Sequence, residues 1–384
     1  MLVLISKKKH SNRFSLRRTA FEHNKINNRR VSIMRKLKGL MCLGLSVSLA
    51  IVAQAASAKD MVISIWDGYM APDALDKFKA ASGVVVDKAL HATNEEIMGK
   101  LMASGGEGYD VVFVSSPFAE ILHKQGLLAD IDPVKVPNLK NLYPEASKLE
   151  YDLGNHFSVP YTWGTTGICY RSDKVTPAPT SWNELLNPSD ALKGKVTMLA
   201  TDRWMLGAGF LAKGWSVNDS DTAHIAAVRD QLIATKKRIL AFDDTTFYSK
   251  LASGESLMAH AWDGWCNYGT QANAAIKFVV PKEGSDLWVD TMVVLKSSKH
   301  QEEAFKFVNF MLAKENHVWV AENILYKIPN QAAMAGLSAD LLKQYPNMTI
   351  TPSELLKMEQ LRDLGGTTQK AYTRAVTEIM AAQN

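Results

Sequence analysis

The sequence predicts an α/β protein built as two halves, each a mixed, mainly parallel sheet flanked by helices. The first observation is the alternation of short apolar strands with helical segments between residues 62 and 125. The second is that the same alternation resumes between residues 167 and 312. Strand, helix and strand at this spacing form parallel βαβ units that helices cover on both faces. Two such halves in one chain predict two lobes joined by crossing strands.

The individual elements follow from hydrophobic periodicity and from the residues that begin and end helices. Thr93 is a predicted N-cap and Glu96 follows three residues later, which is the capping-box pattern; Gly83 and Gly126 end the helices that precede them. The predicted strands are residues 62–66, 84–86, 110–115, 167–170, 196–199, 256–261 and 291–295, and the predicted helices are residues 71–81, 93–103, 118–125, 181–187, 205–213, 221–235, 246–252 and 301–312.

The domain boundaries follow from the same pattern. Residues 157–165 and 277–290 are the candidate crossings, because they lie between the two sets of βαβ units. We predict that residues 59–160 together with residues 290–384, which include the C-terminal helices, form lobe 1. Residues 161–289 are predicted to form lobe 2. Ligands of such folds bind at the carboxyl ends of the strands, in a cleft between the lobes.

The first 58 residues predict an export signal. Residues 34–58 combine a cationic start, an apolar run over residues 40–53 and the small-residue ending Ala56-Ser57-Ala58, which is the pattern of a cleaved signal peptide. A buried core helix would explain neither the cations nor the ending. Residues 1–33 are a basic extension, which would be an over-called start if translation begins at Met34. The apolar run is too short to span a bilayer stably.

Removal of the leader reverses the net charge. Residues 1–58 hold 12 of the 44 Lys and Arg residues but only one of the 39 Asp and Glu residues, so 32 basic and 38 acidic residues remain and the net charge becomes −6 instead of +5. Nucleic-acid binding therefore loses its electrostatic support. Cys169 and Cys266 are the cysteines that remain, and an oxidising compartment would permit them to pair.

The sequence lacks the motifs of catalysis and of metal binding. It contains no His-x-x-x-His or Cys-x-x-Cys pair, no Gly-x-Ser-x-Gly elbow and no phosphate loop. The glycines at 105–108 stand between a helix and a strand, which indicates a turn. We therefore predict a binding protein with no metal and no cofactor, and not an enzyme. A secreted enzyme acting on amines is the alternative, and it lacks a nucleophile–base pair.

Tryptophans stand next to acids at the ends of predicted strands. Trp66-Asp67-Gly68-Tyr69 closes the first strand, Trp262-Asp263-Gly264-Trp265 closes a strand of the second half, and Trp288-Val289-Asp290 lies on a candidate crossing. Ring faces attract cations, and carboxylates accept the hydrogen bonds of ammonium groups. Each tryptophan taken alone fits core packing equally well. Three such clusters at expected cleft edges favour a small ligand that carries an ammonium group.

These residues resemble the periplasmic spermidine/putrescine-binding proteins, which have the type II solute-binding fold. The similarity covers nearly all of residues 60–345, and its pieces occur in the family's order: Trp66-x-x-Tyr69, Thr93-Asn94-Glu95-Glu96, Tyr109-Asp110-Val111-Val112 with Ser115-Ser116, Pro160-Tyr161-x-Trp163-Gly164-Thr165, Ser181-Trp182, Pro281-Lys282-Glu283-Gly284 and Tyr326-x-x-Pro329-Asn330. The resemblance implies a soluble periplasmic monomer that closes on its ligand and delivers it to the inner-membrane permease of an ABC importer.

The resemblance also implies ligand contacts. Trp66 and Tyr69 occupy positions that pack on the methylenes of the ligand, and Ser115 occupies a position that contacts an amine. Two positions after Ser115 the family often has an aromatic residue, whereas this chain has Pro117.

The second half departs from the family in its charges. Polyamine binders usually have an acid near residues 201–205, but Met205 takes that position here, and Arg203 and Trp204 precede it. The family's aromatic-Gly-Asp appears as Asp263-Gly264-Trp265, with the ring and the charge exchanged.

Exchange of an acid for an arginine suits a ligand with one ammonium and one carboxylate, because guanidinium binds carboxylate through two hydrogen bonds. The favoured hypothesis is an ω-amino acid such as γ-aminobutyrate or 5-aminovalerate, with Arg203 on the carboxylate and Asp263 or Asp290 on the ammonium. Trp204, Trp265 and Trp288 complete the candidate site. Polyamine capture for the same type of importer and presentation of the ligand to a membrane receptor are the alternatives; for Arg203, the alternative is a surface residue paired with Asp202.

Overall fold

Ten strands form the sheet within residues 60–383, the part of the chain that the computed structural model describes. In chain order they are β1 (Met61–Ile65), β2 (Val86–Leu90), β3 (Val111–Ser115), β4 (Val159–Arg171), β5 (Val196–Met198), β6 (Ala241–Phe242), β7 (Met258–Trp262), β8 (Ile276–Val279), β9 (Asp286–Val294) and β10 (Glu359–Gln360). The leader predicted at residues 34–58 and the extension at 1–33 lie outside the described residues.

Helices cover the sheet. They are α1 (Ala74–Ser82), α2 (Asn94–Ser104), α3 (Ser116–Lys124), α4 (Asn183–Leu186), α5 (Asp202–Ala212), α6 (Thr222–Lys236), α7 (Phe247–Ser253), α8 (Asp263–Ala272), α9 (Gln301–Met311), α10 (Lys314–Asn323), α11 (Gln331–Met334), α12 (Ala339–Gln344), α13 (Pro352–Leu355) and α14 (Gly365–Ala381). The α/β class that the sequence predicts is confirmed. Within the described residues, no helix is both long and apolar enough to cross a membrane.

Two segments differ from the prediction in extent. The candidate crossing at 157–165 and the strand at 167–170 are one strand, β4, of 13 residues. The strand predicted at 291–295 begins at Asp286, so residues 286–290 of the second candidate crossing are also strand. Pairing with neighbouring strands extends both segments beyond their apolar runs.

The first half of the sheet is mainly parallel. β1 lies between β2 and β3 and is parallel to both, as βαβ connections require. β9 then adds antiparallel to β3, and β10 pairs parallel to β9 at its beginning. Thr93 accepts a hydrogen bond from the backbone N–H of Glu96, but the Glu96 carboxylate accepts from Ala92 instead of Thr93, so only half of the predicted capping box forms.

β4 joins the two halves of the sheet. Its first part, residues 159–165, pairs antiparallel with β9, and its second part, residues 166–171, pairs antiparallel with β7 and β8. β5 lies between β7 and β6 and is parallel to both. The strand order is therefore β2-β1-β3-β9-β4-β7-β5-β6, with β4 and β9 at its centre.

The described residues belong to one compact unit, and the division into two lobes stays a prediction. The final helix α14, which the sequence assigned to lobe 1, packs against α5 and α6 of the predicted lobe 2. Residues 359–363 precede α14. They pair with β9 through β10 and then pass α3, where Arg362 forms an ion pair with Glu120.

Cys169 of β4 and Cys266 of α8 form a disulfide. The bond closes a loop of 97 residues in sequence separation and fixes the beginning of α8 against β4. Such cross-links restrict the unfolded chain and persist in oxidising compartments.

Replacement of both Cys169 and Cys266 by alanine should lower the free energy of unfolding by about 2–5 kcal/mol, because a long loop is released in the unfolded chain. Urea denaturation monitored by circular dichroism measures this difference. Wild type unfolded under reducing conditions serves as the control and should match the variant. An unchanged midpoint in the variant would contradict the expectation.

Candidate functional site

The face shared by β4 and β9 carries most of the candidate site. Asp290 is paired with Thr162 and Trp288 with Gly164, and continuation of this register brings Asp286 opposite Thr166. The hydroxyl of Thr166 donates a hydrogen bond to Oδ1 of Asp286, which agrees with that register. Because side chains alternate along a strand, Asp286, Trp288 and Asp290 project to one face.

Asp290 is held by residues from the first half of the sheet. Its Oδ1 accepts from the Ser115 hydroxyl at 2.6 Å, and its Oδ2 accepts from the Tyr69 hydroxyl at 2.6 Å. Asn94 in turn donates to the Ser115 hydroxyl at 3.0 Å. Burial raises the pKa of the Asp290 carboxyl above its usual value, and the hydroxyl donors oppose this effect. Ser115 ends β3 and precedes α3, so the strand terminus places it here.

Trp66 extends this group towards the surface. Its ring meets the Tyr69 ring edge-on at 5.3 Å between centroids and the His91 ring at 4.9 Å. Trp66 is partly exposed, whereas Tyr69 is buried. The two rings that the family resemblance assigns to ligand methylenes are therefore together, and the Tyr69 hydroxyl also donates to Asp290.

Gly164 makes room for the second acid. A Cβ at this position would lie 2.5 Å from a ring carbon of Trp288 and 2.6 Å from Oδ1 of Asp263. The indole and the carboxylate thus converge over the bare backbone of Gly164. Only glycine permits this approach, which gives a physical reason for the Trp163-Gly164-Thr165 sequence.

Asp263 is buried and begins α8. Its carboxylate accepts from the backbone N–H of Gly264 at 2.8 Å and of Thr165 at 3.3 Å, and the helix N-terminus favours its negative charge. Burial nevertheless raises the pKa of Asp263 to about 7. Lys327 opposes this shift electrostatically, but its ammonium group donates to the carbonyls of Met348 and Ile350 and not to Asp263.

Asp286 is a third acid on the same face, and the sequence reasoning missed it. It is buried, and its Oδ2 accepts from Nε1 of Trp204 at 3.0 Å. Burial raises its pKa, while the Thr166 and Trp204 donors oppose that shift. Met205 of α5 takes the position where the family resemblance led us to expect an acid, but the carboxylate of Asp286 reaches α5 from β9. The D-x-W-x-D spacing of residues 286–290 is the period-two signal that could have identified it.

Tyr326 lies between the Trp288 ring, which is next to Asp263, and the Tyr69 ring, which is next to Asp290. It was not among the predicted site residues. Its ring lies 4.8 Å from the Trp288 ring and 6.3 Å from the Tyr69 ring. A Cβ at Gly264 would come within 1.9 Å of it, so Tyr326 packs directly on the backbone beside Asp263. Tyr326 belongs to the Tyr326-x-x-Pro329-Asn330 motif, but nothing else in the sequence indicated that its side chain lies at the site.

Arg203 is buried, and its guanidinium group donates hydrogen bonds to residues outside the candidate site. Nη1 donates to the carbonyl of Arg362 at 2.7 Å, and Nη2 donates to Oδ1 of Asn218 at 2.6 Å. The proposed pairing with Asp202 is not formed; Asp202 accepts from Thr373. Arg203 thus ties α5 to the segment that leads to α14, and these contacts do not join it to Trp66, Asp263 or Asp290.

Trp265 lies in a different aromatic cluster. Its ring contacts Phe247, Tyr248 and Tyr268 at centroid distances of 6.1, 5.7 and 6.4 Å. The ring next to Asp263 is instead that of Trp288, with Tyr326 beside it. Trp262 forms the link between the cluster and the site, because its ring lies 5.3 Å from that of Trp204.

The site combines aromatic faces with carboxylates that form no ion pair, although the charges of Lys327 and Arg203 act on Asp263 and Asp286 from a distance. Among residues 60–383, no lysine, arginine or histidine forms an ion pair with Asp263, Asp286 or Asp290. No group of three metal-ligating side chains suited to an ion occurs in this range either. An ionised carboxylate buried without a partner costs several kcal/mol. The arrangement therefore favours a cationic guest that also has apolar surface for the rings.

Comparison with known proteins agrees with this chemistry. The sequence profile described as bacterial extracellular solute-binding protein matches residues 73–350. The chain is 31% identical to the spermidine/putrescine-binding periplasmic protein of Salmonella typhimurium, over 82% of this chain and 90% of that protein. It is 29% identical to a putrescine/cadaverine-binding protein of Pseudomonas aeruginosa, over 86% of this chain and 96% of that protein.

Solved structures show the same fold. A spermidine/putrescine ABC transporter substrate-binding protein from Streptococcus pneumoniae is similar with a TM-score of 0.73 at 27% identity, over 84% of this chain and 99% of that chain. A GABA receptor is similar with a TM-score of 0.68 over 85% of this chain and 99% of that chain, but at 19% identity this similarity concerns the fold alone.

Gly164→Ala should lower the free energy of unfolding by about 1–3 kcal/mol, because the added methyl group displaces Trp288 and Asp263. Chemical denaturation and the intrinsic tryptophan emission measure the effect. Gly99→Ala is the matched control, since Gly99 lies in α2 with open space around it and alanine favours helix there. Equal stability changes in the two variants would contradict the role assigned to Gly164.

Asp263 should make the ligand-free protein less stable as the pH rises from about 4 to about 7, whereas His91, His260 and His317, whose pKa values burial lowers, act in the opposite direction. The folded pKa of Asp263 is raised from 3.8 to about 7, so the folded state binds the proton more tightly than the unfolded state across that window. Asp263→Asn should therefore remove this contribution, so that the unfolding free energy of the variant relative to wild type rises between pH 4 and pH 7 by on the order of a few kcal/mol. Parallel slopes for wild type and variant would show that Asp263 titrates normally.

Proposed function

We propose that this chain, which belongs to the bacterial extracellular solute-binding protein family, captures a linear polyamine in the periplasm for an ABC importer of the inner membrane. The family is not enzymatic. The observation that carries the proposal is the set of three carboxylates, Asp263, Asp286 and Asp290, on a face lined by aromatic rings and without an ion pair.

A polyamine supplies what this face lacks. Its ammonium groups would each place a positive charge against a desolvated carboxylate, where charge-assisted hydrogen bonds are strong. Its methylenes would pack on the rings of Trp66, Trp288 and Tyr326, which also attract cations through their faces. A neutral ligand or a single cation would leave at least one of the acids uncompensated.

The ω-amino-acid hypothesis has less support. It depended on Arg203 binding a carboxylate, but two of the guanidinium nitrogens already donate to Arg362 and Asn218. The relatives from Pseudomonas aeruginosa and Salmonella typhimurium, at 29% and 31% identity, are named for putrescine, cadaverine and spermidine. The polyamine alternative is therefore the better supported ligand class. Presentation of the ligand to a membrane receptor stays an alternative to import.

Two further features support export to the periplasm. The relative from Salmonella typhimurium is named as periplasmic, and the sequence of residues 34–58 predicts a cleaved signal peptide. The Cys169–Cys266 disulfide suits an oxidising compartment.

Ligand binding would favour the closed arrangement of the two halves. Asp290 is held by Tyr69 and Ser115 from the first half, whereas Asp263 begins α8 in the second. A guest that bridges these acids binds the closed form better than an open one, and it shifts the population by that difference in affinity. The closed form would then dock on the permease.

Calorimetric titration of the mature protein with putrescine, cadaverine, spermidine, γ-aminobutyrate and 5-aminovalerate tests the proposal. We expect measurable affinity for the polyamines and far weaker binding of both ω-amino acids. Asp290→Asn should weaken polyamine binding at least about 30-fold, because one buried charge pair, worth about 2 kcal/mol or more, is lost.

Asp243→Asn is the matched control for this variant. Asp243 is a carboxylate whose partners, Thr246 and Lys250, are local to the start of α7, so its loss should leave the ligand affinity unchanged. Arg203→Ala should leave the ligand preference unchanged as well. Tight binding of an ω-amino acid that Arg203→Ala abolishes, with no polyamine signal, would refute the proposal.

A further inference from the structure

We propose that Asn267 of α8 is a positioning residue, which holds Leu325 in a left-handed backbone conformation and thereby places the ring of Tyr326 at the binding site. This inference rests on the proposed function, since it assumes that the Tyr326 ring packs on the ligand. It goes beyond that function because it names a residue that acts on the ligand only through another part of the chain.

The turn that carries Tyr326 contains an unfavourable backbone conformation. Helix α10 ends at Asn323, and Leu325, two residues later, has a φ of 60°. Glycine is the usual residue at such a helix end, because the Cβ of any other residue disfavours the left-handed region. The side chain of Leu325 is buried, so the residue cannot be treated as a loose surface turn. Neighbouring contacts must therefore hold its backbone in this conformation.

One face of α8 supplies those contacts. Asn267 is buried, and its Nδ2 donates to the carbonyl of Leu325 at 2.9 Å. The Tyr268 hydroxyl donates to the carbonyl of Asn323 at 3.4 Å. Gly264, one helical turn earlier, packs directly against the aromatic ring of the turn. Residues three and four positions apart share one face of a helix, so α8 presents all three residues to the turn together.

A second hydrogen bond fixes the chain on the other side of Tyr326. The carbonyl of Lys327 accepts from the backbone N–H of Trp163 in β4 at 3.1 Å. The carbonyls of both neighbours of Tyr326 are therefore bonded, one to α8 and one to β4. The bond at Lys327 uses only backbone atoms, whereas the bond at Leu325 depends on the side chain of Asn267. Substitution of Asn267 can therefore release this end of the turn.

The place of the Tyr326 ring matters because the ring lies between two parts of the site. Its centroid is 4.8 Å from that of Trp288 and 6.3 Å from that of Tyr69, whose hydroxyl donates to Asp290. A change of Leu325 to a negative φ would redirect the chain that follows it, and the ring would leave these neighbours. Aromatic rings pack on methylenes and attract cations, so this displacement would weaken polyamine binding.

Replacement of Asn267 by leucine removes the donor but keeps a side chain of similar shape. Asn267→Leu should weaken the binding of putrescine and spermidine by about 5- to 30-fold, the factor by which the left-handed conformation is disfavoured in a residue other than glycine. Calorimetric titration of the mature protein measures both affinities. Asn138→Leu is the matched control, because Nδ2 of Asn138 likewise donates to a backbone carbonyl, that of Asn309 in α9. Its affinities should equal those of wild type.

Two double variants test whether Asn267 acts through the backbone of Leu325. Leu325→Gly and Leu325→Ala both remove the buried side chain, but glycine adopts the left-handed conformation without the cost that the Cβ of alanine imposes. Combined with Asn267→Leu, the glycine variant should bind both polyamines at least about 5-fold more tightly than the alanine variant. If Asn267 served only to fill space, the two double variants would bind with equal affinity.

The outcomes separate this inference from the proposed function. If wild type binds neither polyamine, the proposed function fails and the role of Asn267 fails with it. If wild type binds them but Asn267→Leu keeps the wild-type affinity, or the two double variants bind equally, the proposed function stands and the inference is wrong. Circular dichroism verifies that each variant is folded. Should a double variant not fold, Asn267→Leu and Asn138→Leu decide, because equal affinities of these two would overturn the inference.

Discussion

The antiparallel pairing of β4 with β9 determines where every acid of the site lies. Asp290 and Asp286 are fixed by their register against Thr162 and Thr166, and Gly164 between them admits Asp263 from another element. These two strands also occupy the centre of the strand order, where the halves of the sheet meet. A shift of one residue in this pairing would turn Asp286 and Asp290 to the opposite face, so the register and the site depend on the same hydrogen bonds.

The electrostatics of the site follow from burial combined with neutral donors. Hydroxyl, indole and backbone N–H groups orient the carboxylates, and none of them supplies a full positive charge. Burial consequently raises the pKa of Asp263, Asp286 and Asp290. A protein that used these acids for its own stability would pair them with lysine or arginine. The neighbouring cations, Lys327 and Arg203, donate to carbonyl groups instead. The carboxylates therefore remain available to a charged ligand.

Much of the local structure could be predicted from the sequence because short-range rules determine it. Apolar runs of about five residues became β1, β3 and β7, and Gly83 ended α1 in the left-handed conformation. Strand length was predicted less well. β4 and β9 are longer than their apolar runs, since pairing with neighbours on both sides keeps polar residues such as Thr166 and Asp286 within a strand. Such pairing is a long-range property that hydrophobic periodicity does not report.

The sequence by itself determined the α/β class and the family, because strand–helix alternation and ordered motifs are local features, and its tryptophan–acid neighbours predicted a ligand with an ammonium group. It placed Trp66, Tyr69, Ser115, Asp263, Trp288 and Asp290 among the candidates, and the structure brings these residues to one face. Only the tertiary structure decided which contacts Arg203, Trp265, Asp286 and Tyr326 make. Whether a side chain meets a ligand or another part of the chain depends on contacts between segments distant in sequence, such as Arg203 with Arg362, and those contacts exist only after folding.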